Sequence, residues 1–187
     1  MNLVLASQSP RRRELLATAG FLFTVRARPV EEMRAVGEDP DAYVRRLARE
    51  KAEAAWEGRD EIVLGADTVV VLDGEVLEKP RDAADARRML RLLSGREHTV
   101  ITGICLRHAR GAEVDSSSTR VHFLALTEGE IDRYVDSGEP MDKAGAYAIQ
   151  GLASKFIDRI EGDFANVVGL PVYQVYWYFK KLENGVA

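Results

Sequence analysis

Cysteine is almost missing from this chain: Cys105 is the single one among 187 residues. That excludes an intramolecular disulfide and a cysteine-based zinc site. Its setting, the apolar run VITGICL, reads as a buried strand residue rather than a reactive thiol. Histidine is scarce as well. His98, His108 and His122 all fall in strand-like contexts, which argues against a Ser-His-Asp triad and for structural roles. No apolar run approaches the roughly 20 residues of a membrane-spanning helix. NLVLA near the start is too short for a signal-peptide core and has no basic residue before it. These absences predict a reduced, soluble, cytoplasmic protein with no membrane partner. Positive charge is not in excess either, since the formal net charge is −4. A general nucleic-acid binder carries a net basic domain, although a local cationic site inside an acidic protein stays open.

What is present is the pattern of a folded domain. A hydrophobic share of 46% with 30% charged residues is that of an ordinary globular protein. With no repeat, low-complexity tract or linker, residues 1–187 read as one domain. NLVLAS reads as a buried strand, followed by a helix from Pro10, capped by Ser9, to about Gly20, with Leu15, Leu16 and Ala19 as its apolar stripe. FLFTVRA is strand-like. Asp39-Pro40 opens a helix whose Tyr43, Val44, Leu47, Ala48, Ala52 and Ala55 recur at helical spacing. EIVLGADTVVVL reads as a strand interrupted at Gly65-Ala66-Asp67, and Asp73-Gly74 as a hairpin turn. A helix capped by Asp82 runs to Gly95, two long strands join at Arg110-Gly111, and Thr127 with Glu130 forms a capping box. KFIDRIEG reads as a strand and Pro171 opens a C-terminal helix. Strands and helices alternate, with hairpins between, which predicts an α/β domain with a mixed sheet.

The chemistry-bearing residues stand at element boundaries. A strand ending in Ser7-Gln8-Ser9 and entering a helix at Pro10 exposes unpaired N–H groups and the positive end of a helix dipole, a setting that favours phosphate. Arg11 and Arg12 in the first turn are disfavoured there unless an anion is near; solvent screening is the alternative. Asp67 sits in an apolar run, so its carboxylate must be paired, metal-bound or at a cleft edge. Lys79 is locked at a strand end by Pro80, and Glu31-Glu32 are either solvated charge or ligands of a hard cation. Lys51 alone says little. The long loop EPMDKAGAYAIQG, residues 139–151, has the make-up of a lid, a base-recognition loop or an ordinary surface loop.

In order and spacing, LASQSPRRRELL, LGADTVV, EKP, LSGREHTVITG, EPMDKAGAYAIQG and NVVGLP closely resemble the Maf family of nucleoside triphosphate pyrophosphatases, over essentially the whole chain. The resemblance implies an elongated α/β fold with a mixed twisted sheet and two lobes around a central cleft, similar to inosine triphosphatases, and a homodimer. It makes Asp67 the proton acceptor and assigns base choice to Arg11, Thr68 and Gln150. Ser7, Arg12, Glu32, Lys51 and Lys79 fall in cleft-lining motifs. The branch acting on dTTP and UTP shows Arg, Thr and Gln at the three selecting positions, as here. The sibling branch, acting on 7-methyl-GTP, shows an aromatic residue, Gln and an acidic residue. Glu78 departs from the pattern, because many relatives have Gly before the Lys-Pro pair.

The implied reaction is attack of water at the α–β phosphoanhydride, giving a nucleoside monophosphate and pyrophosphate. Arg11, Arg12, Lys51 and Lys79 would neutralise the phosphates. Asp67 would orient and deprotonate the water, or share a magnesium or manganese ion with Glu32. Gln150 has the donor and acceptor that the edge of uracil or thymine requires. Two other classes stand beside this reading: a nucleic-acid binder using Arg11, Arg12 and Arg13 as a backbone patch, and a regulatory protein of septum formation.

Overall fold

The computed structural model describes residues 2–58 and 60–183. Its strands are β1 (Asn2–Leu5), β2 (Phe23–Val25), β3 (Glu61–Leu72), β4 (Glu75–Leu77), β5 (Glu97–His108), β6 (Gly111–Phe123) and β7 (Ile157–Glu161). Its helices are α1 (Pro10–Thr18), α2 (Pro40–Ala55), α3 (Ala83–Leu93), α4 (Glu128–Asp136), α5 (Phe164–Val168) and α6 (Val172–Glu183). The strands form one sheet in the order β2-β1-β3-β5-β6-β7, with β4 paired to β3. β1 runs parallel to β2 and β3, whereas β4 is antiparallel to β3 and β7 to β6. The expected mixed α/β sheet is therefore observed. The chain divides into two compact units, the first of Met1–Thr68, Thr102–Ser117 and Gly169–Ala187, the second of Val69–Ile101 and Ser118–Val168.

In the first unit β1 and the start of β3 are buried on both faces, which is why NLVL and IVL read as apolar runs. Side chains alternate: Leu3, Leu5, Ile62, Leu64 and Ile104 pack with Leu16 of α1 and Val175 of α6. Val4, Val63 and Cys105 pack with Ala48, Ala52 and Ala55 of α2. Burial pushes the Cys105 thiol up to about 12, so it is an inert core group. All six expected apolar positions of α2 are buried. Ala19, expected in the α1 stripe, is instead the exposed C-cap residue, because that helix stops at Thr18.

The main correction concerns β3. It runs unbroken through Gly65-Ala66-Asp67. Gly65 marks a close approach rather than a break: a Cβ there would lie 2.0 Å from the Ala48 carbonyl oxygen. On the neighbouring strand β5, a Cβ at Gly103 would lie 2.4 Å from the Val44 carbonyl carbon. A glycine on each of two adjacent strands thus lets the α2 backbone rest on the sheet.

In the second unit the local signals hold. Asp73 and Gly74 turn the hairpin with φ of 51° and 82°. Asp82 accepts from the Asp85 N–H, and Thr127 with Glu130 completes the capping box. β7 starts later than expected, since Lys155 and Phe156 lie in a 3₁₀ turn. The 139–151 loop is no ordinary surface loop: it contains two 3₁₀ turns and buries Gly145 to Ile149. Tyr147 anchors it, with its hydroxyl 2.8 Å from His98 Nε2 and its ring edge-on to Phe123 at 4.9 Å. His98 is accordingly structural.

Two outcomes follow from this packing. Gly65→Ala should lower stability by at least about 2 kcal/mol through overpacking, read from the urea midpoint. Burial depresses the His98 imidazole to about 4, below its ordinary 6.5, so the unfolded chain takes up the proton first on acidification. That contribution is complete above about pH 6.5 and lost by about pH 4, a change of roughly 3 kcal/mol. Stability measured against pH should show this slope, and His98→Gln should remove it.

Candidate active site

β1 leaves the sheet after Ala6, whose N–H still reaches the Leu64 carbonyl at 2.8 Å. The chain then turns through Ser7-Gln8-Ser9 into α1. Ser9 caps the helix by accepting from the Arg12 N–H at 3.4 Å, and Ser7 Oγ accepts from the Ser9 N–H at 3.2 Å. The first turn contains no acidic residue, so its cations find their partners outside the helix.

The three consecutive arginines have different fates. Arg13 is exposed, Arg11 is half-buried and Arg12 is buried. Arg12 Nε donates to the Gly169 carbonyl at 2.8 Å. One terminal nitrogen, Nη1, donates to Ser7 Oγ at 3.1 Å and to the Ala66 carbonyl at 2.9 Å. The other, Nη2, donates to Thr68 Oγ1 at 3.0 Å. A guanidinium has five N–H donors, so protein oxygens take most of them. Burial pulls its pKa down and the nearby Asp67 carboxylate pulls it up; an arginine stays charged under both influences. Thr68 Oγ1 also lies 2.9 Å from Thr102 Oγ1 and 3.4 Å from the Gly169 carbonyl. Its hydroxyl is thus engaged by protein groups, which makes Thr68 a shaping residue as much as a hydrogen-bonding one.

Asp67 precedes Thr68 on β3 and is buried. Its Oδ1 accepts from Lys51 Nζ at 2.6 Å, and the same ammonium reaches Glu32 Oε1 at 2.7 Å. The close seat of α2 on Gly65 and Gly103 brings Lys51 to this position, next to Ala52 of the buried stripe. One cation therefore bridges two carboxylates, one on a rigid strand and one in the exposed loop before α2. Hard divalent cations take carboxylate oxygens, and a magnesium-type ion needs only one or two when substrate phosphates complete its coordination. Asp67 and Glu32 fit that donor set. No cluster of three or more His, Cys, Asp or Glu side chains suited to a metal occurs among the described residues, which excludes an all-protein cage of that kind there.

The first unit thus assembles Ser7, Arg12, Thr68, Asp67, Lys51 and Glu32, with Arg11 adjacent on α1. Lys79 and Gln150 belong to the second unit, where both are exposed. Lys79 follows Glu78, whose carbonyl accepts from the Gly145 N–H at 3.1 Å. Thr102 and the Gly169 carbonyl were not singled out by sequence reasoning. Thr102 had a signal, a lone hydroxyl in the apolar run VITGICL; a backbone carbonyl has none.

Residues 2–182 match the family described as Maf-like protein. The chain belongs to the Maf family. Among its relatives, a protein of Koribacter versatilis (strain Ellin345) named dTTP/UTP pyrophosphatase is 52% identical over 177 residues, covering 94% of this chain and 92% of the relative. One of the same name from Anaeromyxobacter dehalogenans (strain 2CP-C) is 56% identical over 174 residues, covering 91% and 88%. Among solved structures, the Staphylococcus aureus Ham1 protein superposes with a TM-score of 0.50 at 15% identity, covering 83% of this chain and 91% of that one. At that identity the likeness concerns the fold alone.

In this Maf protein the fork of Arg12 holds oxygens from four residues, Ser7 nearby and Ala66, Thr68 and Gly169 distant in sequence. Arg12→Lys keeps the charge and loses the fork, leaving buried acceptors without donors. A loss of about 3 kcal/mol is expected in chemical denaturation.

Proposed function

We propose that this Maf-family chain is a nucleoside triphosphate pyrophosphatase that converts dTTP and UTP, and modified pyrimidine nucleotides of the same class, to the monophosphate and pyrophosphate. The relatives that bear this name support the reading at more than half identity over nine-tenths of the chain. The structural observation that carries it is the Asp67 carboxylate, fixed on a strand and held 2.6 Å from Lys51 Nζ with Glu32 on the same ammonium.

In this reading a triphosphate brings new negative charge to a set already balanced between cations and carboxylates. Lys51 turns from Asp67 and Glu32 towards phosphate oxygens, and the freed Asp67 oxygen accepts a proton from the attacking water. Oxygen attacks at the anhydride, the bond to the leaving phosphate breaks, and pyrophosphate departs with its charge opposed by Arg11 and Lys79. Arg12 has a share in that charge and keeps Ser7, Thr68 and the Gly169 carbonyl in place. Thr68, Arg11 and Gln150 select the base, Gln150 through an amide that offers a donor and an acceptor to the pyrimidine edge. Glu32 and Asp67 would hold a magnesium or manganese ion, which when bound would neutralise phosphate charge and acidify water. Residues 1–187 form the working domain, a homodimer in the cytoplasm. No helix among the described residues is long and apolar enough to cross a membrane.

The test combines a variant with a substrate panel. Asp67→Asn should keep the circular-dichroism spectrum and lose turnover by at least about 100-fold. Pyrophosphate release from dTTP, UTP, CTP and 7-methyl-GTP, with and without magnesium or manganese, should favour the first two and require metal. Preference for 7-methyl-GTP would overturn the assignment of Arg11, Thr68 and Gln150, and normal turnover by Asp67→Asn would overturn the mechanism.

A further inference from the structure

The segment bearing Gln150 is held in a specific way that the proposed base choice requires. Tyr134, buried on α4, donates its hydroxyl proton to Glu139 Oε1 at 2.9 Å and accepts from the Ala148 N–H at 3.1 Å. A phenol has one proton to give, so both bonds coexist only with Tyr134 as donor to the carboxylate. Burial raises the pKa of that hydroxyl and keeps it protonated. The other oxygen of the same carboxylate, Glu139 Oε2, accepts from the Leu152 N–H at 3.1 Å. One carboxylate–phenol pair therefore grips the backbone two residues before Gln150 and two residues after it.

The turn between these points is closed by the Gly151 N–H on the Ala148 carbonyl at 3.1 Å. A Cβ at Gly151 would lie 2.4 Å from Glu139 Oε2, so the carboxylate in this position lies directly against the backbone of the turn. The grip is itself anchored. The ring of Tyr134 meets Phe156 edge-on at 5.6 Å, and a capping box fixes the start of α4. Lys143 Nζ reaches the Glu139 carbonyl at 2.6 Å. The Gln150 side chain at the tip is exposed, so its position rests on the backbone beneath it.

We infer that Glu139 and Tyr134 are positioning residues for Gln150, a clamp through which α4 sets the discrimination between a uracil-type and a cytosine-type edge. The inference rests on the functional reading above. Hydrogen-bonded discrimination needs donors and acceptors held within about 0.5 Å of their working geometry, and a long side chain on a loose turn cannot supply that. Neither residue is given a part in the chemical step; both act through the backbone that carries Gln150.

The experiment compares Tyr134→Phe, Glu139→Gln and Gln150→Ala with the wild type. It measures kcat and KM for UTP and CTP, and amide hydrogen exchange at Ala148 and Leu152. The clamp variants should lower the UTP-to-CTP ratio of kcat/KM at least about fivefold, mainly through a higher KM for UTP, with kcat changed less than about twofold. Tyr134→Phe combined with Gln150→Ala should discriminate no worse than Gln150→Ala alone, because the two changes act through one interaction. Exchange should speed up at Ala148 in Tyr134→Phe and at Leu152 in Glu139→Gln. Variants that lose stability but keep the wild-type ratio overturn the clamp and leave the functional reading intact. Should Tyr134→Phe fail to fold, Glu139→Gln decides by the same ratio. A wild type that turns over no pyrimidine triphosphate overturns the functional reading, and the specificity role falls with it.

Discussion

A helix backbone cannot rest on a strand backbone where a Cβ stands between them, and this constraint underlies the geometry of the candidate site. Gly65 and Gly103, on adjacent strands, remove that obstacle beneath Ala48 and Val44 of α2. The helix consequently sits low, and Lys51, one residue before the buried Ala52, brings its ammonium to Asp67. A side chain at either glycine would lift the helix. Asp67 would then stay buried without its cation, the costly state for a carboxylate in an apolar strand. The small residues of α2 serve the same end, since Ala48, Ala52 and Ala55 fill the thin layer that remains.

Charge in the first unit is arranged around this contact. Arg12 and Lys51 are the inward cations, Asp67 and Glu32 the carboxylates near them. Buried ion pairs contribute little net stability once desolvation is counted. Their value here is preorganisation: Asp67 on a strand, Arg12 in the first turn of α1 and Lys51 on α2 are held by rigid elements, and only Glu32 comes from a loop. The second unit follows the same rule with hydrogen bonds and ring packing in place of ion pairs. A buried phenol, a carboxylate and a packed Tyr147 fix the turn that presents Gln150.

Much of the fold was legible because local patterns and burial agree. The α2 stripe, the Asp73-Gly74 turn, the Thr127–Glu130 capping box and the Ser9 and Asp82 caps each depend on residues within a few positions of one another. What was not legible depends on partners distant in sequence. A polar residue in an apolar run resembles a break, so β3 reads from sequence as interrupted at Gly65-Ala66-Asp67. The strand continues because a lysine sixteen positions earlier in the chain supplies the missing charge. The loop at 139–151 stays open between lid, base-recognition loop and surface loop in the sequence, since its alanines and glycines say nothing of Tyr147 entering a core with His98 and Phe123.

By itself the sequence determined the class of fold, the family, the inert cysteine and the identity of the chemical groups, all of which depend on composition, periodicity and motif. Only the tertiary structure decided how those groups are used. Of three adjacent arginines it turned Arg12 inward onto Ser7, Ala66, Thr68 and Gly169 and left Arg13 in solvent. It made one lysine the bridge between two carboxylates. It also seated a turn on the Tyr134–Glu139 pair. Most of these contacts join residues well separated along the chain, such as Arg12 with Ala66, Thr68 and Gly169 and Lys51 with Asp67, and their geometry exists only once helix and sheet have packed.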